Sequence, residues 1–210
     1  MGSELAIVDY GAGNLASVQN TMVNLGVQIK FVRTPEEILR ASRLVVPGVG
    51  AAGAALSRIR ERGLDEALTE AVRRRGRPFL GICLGMQLIA DRLYEKGEHT
   101  GLGWIRGEVV ALQDLGVKGT VPHMGWNEVE LRPAAARFFD SLPERKRQYY
   151  FCHSYGLRAG VDGVVAAYTE SGAPIVAAVL DETVFAVQFH PEKSQLAGEK
   201  LIAAFLEWNP

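Results

Sequence analysis

Cysteine is scarce in this chain: Cys83 and Cys152 stand alone among 210 residues, too few for a disulfide scaffold. A lone thiol in such a chain is either a small buried hydrophobe or a nucleophile. Surplus charge is missing as well, since 23 Lys and Arg against 24 Asp and Glu leave a net −1. An obligatory nucleic-acid or anionic-membrane partner calls for a basic excess, so neither is expected. No run of 18 or more apolar residues occurs, which excludes a transmembrane helix. The start, MGSELAIVDYG, lacks the basic stretch and long apolar run of a secretory signal. These absences read as a cytoplasmic protein with reduced thiols. What remains is ordinary globular material, 48% apolar and 22% charged. A chain of this length buries roughly 70% of its unfolded surface, enough for one core without staples. A single domain over residues 1–210 is expected.

Apolar runs alternate with turn signals through the first half. Leu5–Val8, Val27–Val32, Leu44–Val46 and Pro78–Ile82 read as strands, and 14–26, 52–62, 64–75 and 84–95 as helices. Thr34-Pro35-Glu36-Glu37 is a helix start, with Thr34 as N-cap, Pro35 at the first position and acids in the first turn. Strand–helix alternation calls for a parallel sheet with helices on both faces. After residue 103 short β-rich runs take over, at 104–112, 127–131, 148–152, 163–168, 174–180 and 183–189, before a last amphipathic helix at 194–208. The expected fold is α/β: a mostly parallel central sheet flanked by helices, extended by antiparallel strands in the C-terminal half.

Three glycine-rich turns compete for the chemistry. Gly11-Ala12-Gly13-Asn14-Leu15-Ala16 follows a strand and opens a helix, as a dinucleotide fingerprint would. That fingerprint wants an acid at the end of the second strand, where Arg33 stands, so a structural turn or partner-facing loop is the better reading. Gly81-Ile82-Cys83-Leu84-Gly85 has the spacing of a nucleophile elbow with Cys in place of Ser. A sharp turn pushes such a nucleophile out at the strand's carboxyl end, with the following helix aiming N–H groups at the sulfur. Pro47-Gly48-Val49-Gly50 ends the third strand on the same edge, where Val49 and Gly50 could aim backbone N–H groups, with that of Leu84, at a developing oxyanion. His190 and Glu192 are two apart in extended chain and leave the same face, an imidazole beside the carboxylate that would orient it. Cys83, His190 and Glu192 are therefore the candidate catalytic residues.

At this point a resemblance can be stated. Gly81-Ile82-Cys83-Leu84-Gly85-Met86-Gln87 together with His190-Pro191-Glu192 resembles the class I, triad-type glutamine amidotransferases. The similarity runs from residue 5 to about 205. Asp9-Tyr10-Gly11-Ala12-Gly13-Asn14, Pro122-His123-Met124-Gly125-Trp126-Asn127 and His190-Pro191-Glu192-Lys193-Ser194 resemble one branch of that family. Pro47-Gly48-Val49-Gly50 belongs with them, standing where other members usually carry a Gly-Gly-Pro-Gly type loop. The resemblance implies glutamine as substrate, attacked by the Cys83 thiolate, with Gln87, Glu95, Ser154 and Tyr155 holding it. It implies no cofactor and no metal. It also implies a heterodimer with a cyclase subunit of βα-barrel fold, which uses the ammonia to make imidazole glycerol phosphate and an aminoimidazole carboxamide ribonucleotide in histidine biosynthesis. Asn14, Trp126 and Lys193 match positions of the docking surface.

Two other readings carry their own tests. The same triad could serve a different acceptor synthase, a free-standing γ-glutamyl hydrolase or a cysteine peptidase, which co-purification with a barrel cyclase would separate. A binding module built on Gly11–Ala16 would show itself by binding NADP. Cys152, inside Tyr149-Tyr150-Phe151-Cys152, reads as core; His153 and His123 lack ligand-type spacing for a metal.

Overall fold

The computed structural model describes residues 5–140, 143 and 147–210; residues 1–4 of the expected domain, and 141, 142 and 144–146, lie outside the described residues. The first half alternates as its turn signals require. Strands β1 (Leu5–Val8), β2 (Ile29–Val32), β3 (Arg43–Gly48) and β4 (Phe79–Cys83) are separated by helices α1 (Leu15–Asn24), α2 (Pro35–Arg40), α3 (Ala52–Glu61) and α4 (Leu64–Thr69). The α4 helix runs on into a π-helical turn, Glu70–Arg74. The capping box at Thr34 forms in full, its hydroxyl accepting from Glu37 N and the Glu37 carboxylate accepting from Thr34 N.

Downstream lie α5 (Leu84–Gln87), β5 (Ala90–Leu93), β6 (His99–Thr100), β7 (Ile105–Ala111), β8 (His123–Glu128), β9 (Glu130–Leu131) and α6 (Ala136–Phe139). They are followed by β10 (Gln148–His153), β11 (Tyr155–Ala159), β12 (Val165–Glu170), β13 (Pro174–Asp181), β14 (Val184–Val187) and α7 (Gln195–Glu207). An eight-stranded sheet runs β2-β1-β3-β4-β14-β13-β12-β9. Its first five strands pair in parallel and its last three join antiparallel.

Both faces of the parallel half are covered, so β1, β4 and β14 and most of β3 are apolar, while the edge strand β2 carries the exposed Lys30. Ala6, Val8, Leu44, Val46 and Phe79 pack into one core with α3 and α4, whereas Leu5, Ile7, Val45, Leu80 and Ile82 pack into the other with α1 and α7.

The expected α/β architecture is present, a largely parallel sheet extended by the antiparallel β13, β12 and β9; beside it β10 pairs with β8 in a separate two-stranded sheet, and β11-β7-β5-β6 form a third. Two expectations are corrected. The helix expected over 84–95 stops after one turn. Leu88, Ile89 and Ala90 carbonyls instead accept from Leu102, Trp104 and Gly103 N–H groups, and β5 pairs in parallel with β7. The sequence over 88–93 satisfies a helical period, but strand pairing with residues further along the chain wins. Cys152 is half-buried rather than core, because alternation along β10 turns Tyr149, Phe151 and His153 inward and leaves Cys152 on the other face.

The parallel strands end together. Gly48 is in register with Cys83, and Val187 with Ile82, so the residues after β3, β4 and β14 converge at one sheet edge. This is where open α/β sheets place their ligands.

Candidate active site

Cys83 sits at that edge on a backbone that only a locked turn sustains, with φ 52° and ψ −105°. A non-glycine residue at positive φ costs of order 1–3 kcal/mol unless its surroundings hold it there. The flanking glycines are what permit the turn. A Cβ on Gly81 would come within 2.8 Å of the Gly85 carbonyl oxygen, and one on Gly85 would collide with the Val46 carbonyl. The strand therefore passes directly into α5, whose first residue is the buried Leu84. The Cys83 side chain is 7% exposed.

His190 reaches the same place from the other end of the chain. It follows β14 and caps a short 3₁₀ turn, Pro191–Lys193, that brings Glu192 back beside it. The imidazole Nδ1 and the Glu192 carboxylate are 2.8 Å apart, and both side chains are almost wholly buried. The ring also lies close enough to Cys83 to interact with it electrostatically. Burial pulls the His190 pKa down, but the interactions with Cys83 and Glu192 and the negative charge of both outweigh it, pushing the imidazole up to about 10. The site thus favours an imidazolium between two acceptors, sulfur on one side and carboxylate on the other. Residues 83 and 190, more than a hundred apart in sequence, meet.

The turn is pinned by Tyr150 and Ser194, to which the sequence alone assigns no role. His190 N donates to Tyr150 O at 2.8 Å, Ser194 Oγ donates to His190 O at 2.6 Å, and Tyr150 N donates to Ser194 Oγ at 3.0 Å. Thr21 on α1 adds a bond from its hydroxyl to Glu192 O at 3.4 Å. Gln188, two residues before His190 and fully buried, places its amide nitrogen 3.7 Å from the Cys83 sulfur. The period-2 spacing from His190 was a signal for Gln188; nothing local marked Ser194, whose partner Tyr150 lies on β10.

Other candidates distribute as follows. Val49 is 42% exposed beside this edge and Gly50 adopts φ 94°, while Tyr10 anchors the preceding Pro47 carbonyl with its hydroxyl at 3.0 Å. Gln87, at the end of α5, spends its amide nitrogen on Tyr155 O at 3.0 Å and Gln188 Oε1 at 3.1 Å. The Glu95 carboxylate accepts from Ala52 N at 2.7 Å, tying it to the start of α3 just past Val49 and Gly50. Ser154 bridges β10 and β11 and accepts from Leu112 N through its carbonyl, and Tyr155 opens β11. Trp126 on β8 is 45% exposed and meets Tyr150 edge to face, with Lys193 Nζ over the same tyrosine ring. Asn14 caps α1, its side chain bonded to Ser17. In the first glycine turn, Arg33 is engaged by Asp9 at 2.7 Å and Arg58 by the Gly11 carbonyl, which leaves that turn without the acid a ribose would need. Among the described residues no cluster of three or more His, Cys, Asp and Glu side chains is arranged to hold a metal, and no helix is long and apolar enough to cross a membrane.

Comparison with known proteins gives three concordant findings. The family described as glutamine amidotransferase class-I matches residues 6–208. The imidazole glycerol phosphate synthase subunit HisH of Zymomonas mobilis is 43% identical over 213 residues, covering 99% of this chain and 97% of that protein. Its counterpart in Rhodospirillum rubrum is 41% identical, covering 98% and 99%. Among solved structures, a chain of PurLQS from Thermotoga maritima superposes with a TM-score of 0.74 at 18% identity, covering 99% of both chains. A structure described as a glutamine amidotransferase gives 0.72 at 21% identity and 97% coverage of each. At such identities these two likenesses speak to the fold.

Proposed function

The chain belongs to the class I glutamine amidotransferases, within the HisH subunits of imidazole glycerol phosphate synthase, and from that premise we propose how its residues do the chemistry. The observation that carries the reading is the convergence of Cys83, His190 and Glu192: one imidazole bonded to the carboxylate at 2.8 Å and interacting with the elbow cysteine.

Glutamine enters with its side-chain amide carbon against Cys83. The thiolate attacks, forming a C–S bond and moving the carbonyl electrons onto oxygen. Backbone N–H groups of Leu84 and of the Val49–Gly50 segment receive that oxyanion. As the intermediate collapses, the imidazolium of His190 gives its proton to the departing nitrogen and ammonia leaves. A water then attacks the glutamyl thioester with His190 taking its proton; the C–S bond breaks and glutamate is released. Glu192 holds the ring in one orientation and stabilises its charge. Thiol, imidazole and backbone dipoles fill every role, so the scheme calls for no cofactor.

Gln87, Glu95, Ser154 and Tyr155 are assigned to the substrate. Glu95 offers a negative charge suited to the α-ammonium, at the start of α3 where substrate binding and the oxyanion segment can sense each other. Ammonia passes to a cyclase partner of βα-barrel fold, a path that keeps it from the bulk water in which it would be protonated and lose its nucleophilicity. Trp126, Lys193 and Asn14 are assigned to that interface, together with the exposed Met124 neighbouring Trp126 on β8. With its two cysteines free, the protein suits the reducing cytoplasm.

The test is glutamate release by Cys83→Ala in the presence of the cyclase and its nucleotide. Loss of stimulated activity is expected; retention would overturn the assignment.

A further inference from the structure

We propose that the Gln188 side-chain amide is a further catalytic group, donating a hydrogen bond to the Cys83 sulfur, and that Gln87, the Tyr155 carbonyl and the His153–His123 pair are positioning groups that fix its orientation. The inference rests on Cys83 being the nucleophile of the amidotransferase site.

The direction of every bond in this chain is set by groups that can only accept. The Tyr155 carbonyl accepts from Gln87 Nε2 at 3.0 Å, so the nitrogen of the Gln87 amide must face it. That same nitrogen lies 3.1 Å from Gln188 Oε1, so the Gln188 oxygen faces Gln87 and its NH₂ group is turned toward the sulfur at 3.7 Å. Neither amide can flip without setting two donors or two acceptors against each other. On the far side, His153 Nδ1 lies 2.8 Å from the Tyr155 carbonyl and must carry hydrogen. In the neutral ring its Nε2 is then an acceptor, and it meets His123 Nδ1 at 3.1 Å. Burial holds His153 down, to about 4, so this pair stays uncharged at neutral pH. Gln188 is fully buried, and Gln87, His153 and His123 nearly so. A low local dielectric strengthens each of these buried links.

The consequence falls on the sulfur. Two groups act on it: His190 through its charge and Gln188 as a neutral donor. A neutral donor stabilises negative charge on sulfur without adding a second cation that would discourage His190 from holding its proton. That bond meets the charge on sulfur during attack and again when the thioester breaks.

Gln188→Leu and Gln188→Glu in the full chain with its cyclase partner test this. Iodoacetamide labelling of Cys83 is followed by mass spectrometry across a pH series, with Cys152 in the same sample as an internal reference. Loss of one hydrogen bond to a charged atom predicts about a tenfold slower reaction of Cys83 at neutral pH in Gln188→Leu, with a comparable fall in kcat. Its pH profile moves upward, and Gln188→Glu, which presents a carboxylate to the sulfur, is slower still. Cys152 labelling stays unchanged. An unaltered Cys83 profile in both variants overturns the proposal even if turnover falls, and so does faster labelling of both cysteines, which marks a loosened fold. The labelling needs no glutamine, so its outcome is separate from that of the Cys83→Ala assay.

Discussion

The proposed nucleophile and the proposed base are placed by opposite means. Cys83 is held by backbone sterics: a positive φ, two flanking glycines and carbonyls packed where any Cβ would intrude. His190 is held by hydrogen bonds, to Tyr150 and Ser194 through its main chain and to Glu192 through its ring. The elbow needs almost nothing beyond its own five residues and the neighbouring strand. The base-side turn draws on β10, α1 and its own carboxylate. A strained turn tolerates no change of shape. A bonded turn tolerates such changes but loses position when a single donor goes.

The largest effect should therefore come from the elbow. Gly85→Ala puts a methyl group into the Val46 carbonyl, backbone against backbone, with no flexible side chain to give way. Destabilisation of at least about 4 kcal/mol is expected, in the range where a single substitution abolishes a marginal fold. Soluble yield and thermal unfolding would measure it. A variant with an unchanged melting temperature would mean that the elbow is less tightly built than its geometry indicates.

Acid acts on the other side. His190 and His153 are shifted in opposite directions, and the signs separate them. The His190 pKa is raised, so its contribution to stability is complete below the unfolded value of about 6.5 and is lost as pH rises through about 10. The His153 pKa is lowered by burial to about 4. Above about 6.5 it is neutral whether folded or not; below that the unfolded chain takes a proton the folded chain refuses. Stability then declines by about 3 kcal/mol as pH falls from about 6.5 to about 4. Replacing His153 by Gln, which can donate and accept without titrating, should flatten this stretch of the profile. Urea midpoints at a series of pH values would show it, and an unchanged slope would place the acid sensitivity elsewhere.

The same contrast explains what the sequence disclosed. Gly81-Ile82-Cys83-Leu84-Gly85 was legible because its constraint is local: glycines two before and two after a cysteine have few other reasons to stand there. The parallel order of β1 to β4 followed from alternation and turn residues for the same reason. Pairing of His190 with Glu192 was legible from their two-residue separation. Gln188 escaped notice because its role depends on Gln87, 101 residues away, and Ser194 because its partner Tyr150 lies 44 residues off. The helix expected over 84–95 failed likewise. Its local period was sound, but Ala90–Leu93 is claimed by β7, and no window of that length contains the strand that claims it.

The smallest effect separates hydrogen bonding from shape within the turn itself. Ser194→Ala removes one oxygen and adds no bulk. It leaves the half-buried Tyr150 N–H without its partner, while the His190 carbonyl keeps the bond from Lys193 N. A buried donor left unsatisfied costs about 1–2 kcal/mol, which in a chain of this size lowers the melting temperature by several degrees without unfolding it. The main-chain bond from His190 N to Tyr150 O survives, so the ring should remain near Cys83 while its position broadens. The expected result is a fall in kcat with little change in KM for glutamine, since the side chains assigned to the substrate are untouched. Ser194→Thr, which restores the hydroxyl, should recover most of the loss. If Ala and Thr behave alike, the hydroxyl is not what holds the turn, and the division between a sterically built nucleophile and a hydrogen-bonded base gives way.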